Sequence, residues 1–292
     1  MSSEPSISII VPTLGRAREL ARLLESVERQ TLSASEVVVV DRSGDGKISD
    51  MLMSRAWGFN LVRLPTPPVL GTSYAMNQGW PKSTGSHLLF ADDDCWYPPW
   101  LLARVLKLFQ ETGSDIVAGR AADEHGRSIL GRYETVPQPI ARKNVWTSSI
   151  EWMIVFRREV VEAVDGFDAT IGLGASTPWQ AAPGQDILLR ALSKGYTGYF
   201  DPGLYGFHPE PNIVRPDPSM CRKARAYGRG MGYVLRRHSF GMVEVAGWIA
   251  RPLAGAVLYA LKGEGARASY YWNAARGRLE GWRGKTATLS DD

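Results

Sequence analysis

Short apolar runs alternate with helix-period segments over the first two-thirds of this chain, and that alternation restricts the fold more than any other feature. Ser6-Ile7-Ser8-Ile9-Ile10-Val11 reads as a buried strand ended by Pro12 and Thr13. Leu20, Leu23, Leu24 and Val27 then fall at i, i+3, i+4 and i+7, one apolar helix face. Val37-Val38-Val39-Val40 is a second buried strand with Asp41 at its carboxyl end, followed by the turn Arg42-Ser43-Gly44-Asp45-Gly46. Residues 60–64 read as a third, shorter strand, closed by Pro65, Pro67 and Pro68. Residues 71–82 are predicted to be a helix carrying Ser73 and Asn77, and His87-Leu88-Leu89-Phe90 is again a buried strand. Strand and helix in this order argue for an α/β fold with a mostly parallel central sheet and right-handed crossovers.

The fourth run breaks into Ala91-Asp92-Asp93-Asp94-Cys95-Trp96. Acids at a strand's carboxyl end stand where open α/β sheets bind ligands. Three neighbouring carboxylates repel one another, and a bound cation relieves that repulsion. Oxygen ligands suit a hard ion such as Mg2+, Mn2+ or Ca2+. From the triplet alone, a solvated acidic turn capping the next helix is the simpler reading; what precedes and follows the triplet reverses that. Asp41 has the same two readings, as an acceptor for a polar ligand or as a turn residue.

Farther along, Pro98-Pro99 opens a helix predicted to run to about Thr112, and residues 115–119 form the next strand. Residues 120–147 mix glycine, proline and charge and read as an excursion over the site. Residues 150–156 return as a strand, and 157–164 as a short helix. Residues 172–184 are too rich in glycine and small side chains for regular structure, and loops of that length are often functional. Asp186 follows at the start of a helix predicted over 187–194, a place where capping and the helix dipole alone favour an acid. Tyr199-Phe200 reads as a brief strand, and His208 precedes Pro209.

With 292 residues, 44% of them hydrophobic, the chain has room for one large domain plus an extension. Charge places the division. From residue 219 onward 13 Lys and Arg face 5 acids, a net +8 within a chain of net +4, so the body carries −4. The expected domains are 1–218 and a basic, aromatic-rich helical extension over 219–292. Tyr227, Tyr233, Trp248, Tyr259, Tyr270, Tyr271, Trp272 and Trp282 interleave with its bases. Residues 243–262 are largely apolar but interrupted by Glu244, Arg251 and Pro252. That pattern fits an amphipathic helix at a membrane interface better than a spanning one. Packing on the body or a homodimer contact explains the extension as well. Nucleic-acid binding is not expected, because no known binding motif accompanies the bases. The N-terminus shows no basic segment followed by a long apolar stretch, so no signal peptide is expected. Cys95 and Cys221 lie far apart and make no metal-ligand pattern, which suggests a reduced, cytoplasmic setting.

Taken in order, Ile9-Ile10-Val11-Pro12-Thr13, Val38-Val39-Val40-Asp41, Asn77-Gln78-Gly79, Asp92-Asp93-Asp94, Gly166-Phe167-Asp168, Gln185-Asp186 with Leu188-Leu189-Arg190, and His208 resemble a family-two glycosyltransferase. The likeness covers about residues 6–209. It implies the Rossmann-like GT-A fold and transfer of a sugar from a nucleotide sugar, usually a UDP-sugar, with inversion. By the same resemblance Pro12, Thr13 and Asp41 would hold the base and ribose, Asn77 would belong to the nucleotide site, and Asp92 or Asp93 would reach the ribose. Asp94 and His208 would bind the divalent cation, Mn2+ or Mg2+, and Asp186 would be the catalytic base. Trp96 and Trp179 are candidates to stack on sugar faces, with core packing as the alternative. Three positions depart from the family pattern: Leu14 where an aromatic residue is common, Met76 where an arginine is common, and Gln185 where an acid is frequent.

The implied acceptor is a hydroxyl of a glycan or a polyprenyl-linked saccharide, met at the inner face of the plasma membrane through contact with anionic lipid. A rival reading is a catalytically silent sugar-nucleotide or membrane-binding module of the same fold. A nucleotidyltransferase would also use strand-end acids and a metal, but no glycine-rich, lysine-bearing start loop is present.

Overall fold

The computed structural model describes residues 5–68, 71–211 and 213–284. Residues 1–4, read above for a leader, and Lys285, Asp291 and Asp292, counted in the tail charge, lie outside the described residues. Contacts sort the chain into two compact units. One is Met1–Leu70, Tyr74–Phe167 and Gly184–Glu210; the other is Gly71–Ser73, Asp168–Pro183 and Pro211–Asp292.

The first unit is built on a sheet whose strands, among the described residues, are β1 (Ile7–Thr13), β2 (Glu36–Asp41), β3 (Asn60–Pro65), β4 (His87–Phe90), β5 (Ile116–Ala122), β6 (Gln138–Ile140), β7 (Ile154–Arg157) and β8 (Gly198–Phe207). They lie in the order β3-β2-β1-β4-β7-β5-β8-β6. β3, β2, β1 and β4 are mutually parallel, β7 runs antiparallel between β4 and β5, β8 is parallel to β5, and β6 is antiparallel to β8. β1, β2 and β4 are buried along their whole length, which is why they read as unbroken apolar runs rather than alternating ones. Helices α1 (Ala17–Glu28), α2 (Lys47–Met53), α3 (Thr72–Gly79), α4 (Leu101–Thr112), α5 (Arg158–Ala163) and α6 (Pro183–Ser193) connect the strands. α1 buries Leu20, Leu23, Leu24 and Val27, the stripe expected from the sequence.

Register sets the site. Thr13 lies opposite Asp41 and Ile10 opposite Phe90, so the carboxyl ends of β1, β2 and β4 finish at one edge. Three local expectations are revised and one helix is added. Residues 151–153 form a 3-10 turn, closed by the Met153 N–H on the Ile150 carbonyl at 2.9 Å, and β7 begins only at Ile154. α6 starts at Pro183, whose fixed φ suits a first turn, so Asp186 lies inside the helix rather than before it. β8 spans ten residues because it pairs with β5 across an irregularity between Ala118 and Arg120. α2 escaped a periodicity reading because its seven residues bury only Ile48 and Leu52.

The second unit holds α7 (Pro218–Arg237), α8 (Met242–Leu261) and α9 (Gly265–Arg283). The Asp217 carboxylate accepts the Met220 N–H at 2.8 Å and Pro218 starts α7, a well-formed N-terminus. Glycines bring α7 and α9 together: a Cβ at Gly232 would stand 2.1 Å from the Arg278 carbonyl oxygen, and one at Gly281 2.0 Å from that of Arg229. Glu280 of α9 accepts from Arg225 and Arg229 of α7 at 2.8–3.0 Å. Burial works against its ionisation, but these two guanidiniums hold it down at about 2. Residues 168–183 also pack within this unit. Trp179 stacks on Tyr233 at 4.6 Å, Arg237 pairs with Asp168 at 2.8 Å, and Gly230 leaves room for the Ala181 backbone. A single cut near residue 218 therefore does not describe the units, since residues 168–183 group with the tail. No helix among the described residues is long and apolar enough to cross a membrane.

Candidate active site

The acidic triplet follows β4 at the shared sheet edge. The Thr13 hydroxyl donates to Asp93 at 2.8 Å, tying the end of β1 to the triplet. Arg16, just before α1, bridges Asp93 at 3.1 Å and Asp94 at 2.7 Å. Arg22 donates to the Asp94 carbonyl at 2.9 Å and lays its guanidinium over the Trp96 ring at 3.7 Å. His208, just beyond β8, brings Nε2 within 3.0 Å of Asp94. One ligand atom from each of Asp92, Asp94 and His208 fits a group whose members all lie within 4.8 Å of one another. Two carboxylates and an imidazole are a donor set for a divalent cation such as Mn2+. The His208 Nδ1 lies 2.7 Å from the Pro209 carbonyl; a proton placed there leaves Nε2 facing the acids.

Electrostatics follow the same arrangement. Burial, with Asp94 beside it, pushes Asp92 up to about 6. Burial also raises Asp93, against the Thr13 hydroxyl and Arg16. Asp94 is buried too, but the hydrogen bond and charge of His208, with Arg16, outweigh that and hold it below the usual carboxylate range. His208 is raised in turn, the Asp94 hydrogen bond outweighing burial.

The structure brings Pro12, Thr13, Asp41, Asp92, Asp93, Asp94, Trp96 and His208 to one sheet edge. Asp41 is sealed there: its carboxylate takes Arg63 at 2.7 and 2.9 Å and the Ser43 N–H at 2.9 Å. Trp96 packs against Phe207 with ring centroids 5.6 Å apart, and backbone bonds of 3.0 and 2.8 Å join the two residues. Asn77 is placed differently. Its amide is engaged with the Phe167 backbone in both directions, at 2.7 and 2.9 Å, so it pins the Gly166-Phe167 turn. Trp179, in the second unit, is 7% exposed and stacked on Tyr233.

Asp186 has no exposed surface. Its carboxylate takes Arg190 Nε at 2.8 Å, and the same guanidinium donates to the Val164 and Gly166 carbonyls at 2.5 and 2.7 Å. That is an internal brace between α6 and the turn after α5.

Sequence reading missed Arg16, Arg22 and Glu151. Arg16 could have been found as a base three residues after the Pro-Thr pair. Glu151 stood inside a run read as a buried strand, where an acid should have drawn notice. Burial and the charge of Asp92 push Glu151 up to about 8, against the N–H of Gly184.

The family model described as Glycosyl transferase family 2 matches residues 8–163. Glycosyltransferase AglE of Haloferax volcanii is 27% identical over 239 residues, 78% of this chain and 74% of the relative. A PGL/p-HBAD biosynthesis glycosyltransferase of Mycobacterium tuberculosis is 36% identical over 119 residues, 39% of this chain and 46% of the relative. Among solved structures, mannosyltransferase PcManGT from Pyrobaculum calidifontis, in complex with GDP-Man and Mn2+, has a TM-score of 0.62 at 18% identity, covering 97% of this chain and 89% of that one. Residues 1–349 of TarS from Staphylococcus aureus, in complex with UDP, have a TM-score of 0.57 at 18% identity, covering 96% and 92%. Both likenesses are of fold.

Proposed function

This chain belongs to glycosyl transferase family 2 and is a glycosyltransferase; from that premise we propose that it moves a sugar from a nucleotide sugar to a hydroxyl of a glycan or lipid-linked acceptor, with inversion and with the help of a divalent cation. The observation that carries the reading is the meeting of Asp92, Asp94 and His208 at the sheet edge that also bears Thr13 and Asp41. A UDP-sugar is the first donor to test, and GDP-mannose the second, because neighbours of the same fold are complexes with UDP, UDP-GlcNAc and GDP-Man.

Each residue's part follows from its surroundings. Pro12 and Thr13 hold the nucleoside, Thr13 being oriented by Asp93; Asp41, expected from the resemblance to join them, has its carboxylate taken by Arg63 and Ser43. Asp92 or Asp93 reaches the ribose. Asp94 and His208, with Asp92 beside them, hold the cation. When bound, that ion supplies positive charge where the departing diphosphate gains negative charge. Arg16 is half-exposed and turned onto Asp93 and Asp94, so it is free to swing to a diphosphate placed before it. Trp96, steadied by Arg22 and Phe207, offers a ring edge to a sugar. An acceptor hydroxyl must also lose a proton, and that requires a carboxylate with an open oxygen. Asp186, the residue expected from the sequence, is fully enclosed in this conformation.

The extension suits a membrane-bound acceptor. α8 exposes Val257, Leu258 and Leu261 along one apolar stretch with Leu253, and Arg251 lies over the Trp248 ring at 4.3 Å. An apolar helix face on a net-basic segment favours peripheral contact with anionic lipid at the inner face of a plasma membrane. Self-association through the same face is the competing use. The direct test of activity incubates the purified chain with UDP- and GDP-sugars and Mn2+ and measures nucleoside diphosphate release. Release that stops on adding EDTA is expected. Release of pyrophosphate, or none from any donor by a folded protein, overturns the proposal.

A further inference from the structure

α8 carries Pro252 in its interior. Proline has no N–H, so the carbonyl one turn earlier, that of Trp248, loses its helical donor. Arg278 of α9 replaces it, donating Nη1 to that carbonyl at 2.5 Å. A second guanidinium gathers at the same residue. Arg251, in the turn after Trp248, lies over the indole with 4.3 Å between its guanidinium carbon and the ring centroid. The two cations act on one another: burial first, then the charge of Arg251, bring Arg278 down to about 10.

Neither arginine pairs with a carboxylate among the described residues. Elsewhere in the same unit guanidiniums are matched: Arg225 and Arg229 share the Glu280 carboxylate. A neutral amide would serve the Trp248 carbonyl as well as Arg278 does. A second cation beside it, with no acid between them, is unfavourable until an anion joins the pair. The surface next to the pair is apolar. Arg251, Ala254, Leu258 and Leu261 fall at i, i+3, i+7 and i+10, on one side of α8. Ala254, Leu258 and Leu261 are exposed and line an open groove with Ala250, Leu253 and Val257.

We propose that Arg251 and Arg278 bind the head of a membrane lipid that ends in a phosphate monoester, the lipid chain lying along Ala254, Leu258 and Leu261. The inference rests on the peripheral membrane contact proposed above and adds a headgroup to it. A phosphate monoester carries about −1.5 to −2 charges at neutral pH, which matches two guanidiniums. A phosphodiester carries one and leaves a cation uncompensated. Guanidiniums also meet phosphate oxygens with two parallel N–H bonds, so the pair recognises shape as well as charge. Trp248 fixes both partners, Arg278 through its carbonyl and Arg251 through its ring.

The test measures binding of the full chain to two vesicles of equal zeta potential, phosphatidylcholine with phosphatidic acid and phosphatidylcholine with phosphatidylglycerol. Wild type is expected to bind the phosphatidic acid vesicles about tenfold more tightly. Arg251→Gln should bring the two affinities within about twofold of each other, and Arg251→Lys, which keeps the charge but not the fork, should lose part of the preference. Arg278 is left in place, since its loss would strip the Trp248 carbonyl of its donor. Lys262→Gln removes the same charge from the end of α8 and should keep the preference. Equal binding of the two vesicles by wild type, or a preference that survives in Arg251→Gln, overturns this inference and leaves the membrane contact standing. Release of the chain from phosphatidic acid vesicles by glycerol 3-phosphate equimolar with the lipid assigns the site to a soluble phosphate and overturns the lipid. A wild type that binds neither vesicle overturns the membrane contact and this inference with it, and dimerisation of that chain gives the groove to a second copy.

Discussion

At the scale of single residues, the contact between Asp94 and His208 decides the most. Its pH dependence has two limbs. His208 is raised in the folded chain, so its share of stability is complete below the ordinary histidine pKa and is lost as pH rises through the raised value. Asp94 is lowered, so its share is present above the ordinary carboxylate pKa and is lost as pH falls through the lowered value. The metal-free chain should therefore be most stable at weakly acidic pH. A melting curve series in EDTA should show that maximum, and His208→Ala should remove the alkaline fall. A proton on Nε2 also competes with a cation. Below the His208 pKa, Mn2+ affinity measured by calorimetry should weaken about tenfold per pH unit, and Asp94→Ala should abolish it. The triplet was legible only with the motifs before and after it, because three acids after an apolar run also serve as a solvated turn. The enclosure of Asp186 was not, because it depends on carbonyls at 164 and 166, reached only once α6 lies against the turn after α5.

At the scale of elements, glycines set how closely helices and strands approach. Gly281 in α9 meets the Arg229 carbonyl region of α7 with no room for a methyl group. Gly281→Ala should destabilise the chain by about 1–3 kcal/mol through overpacking, read as a lower urea midpoint. Gly247, within α8, has nothing within 4 Å of where a Cβ would stand. Gly247→Ala should raise stability by about 0.5–1 kcal/mol in the same titration. The paired outcomes separate helix propensity from packing. β1, β2, β4 and α1 were readable because both their periods and their burial are local. Of β8 only Tyr199-Phe200 was, because its full length comes from pairing with β5 across Gly119, where a Cβ would press 2.2 Å from the Leu204 carbonyl oxygen.

At the scale of the whole molecule, the net +8 tail and the exposed apolar face of α8 can be tested together. The full chain should sediment with vesicles containing anionic lipid and stay in the supernatant with neutral ones. Val257→Asp with Leu261→Asp should abolish sedimentation without changing nucleoside diphosphate release from soluble donors. A change in oligomeric state with no effect on vesicle binding would assign the face to a second copy of the chain instead. The sequence alone determined the alternation of strands and helices, the edge at which the acids gather, and the division of charge between body and tail, because each is written in neighbouring residues. Only the tertiary structure decided which carboxylates face one another and which are locked away, and that residues 168–183 group with the tail helices. Those outcomes depend on atoms tens of residues apart coming within about 3 Å, the range at which a hydrogen bond or an ion pair acts, and sequence order carries no record of that distance.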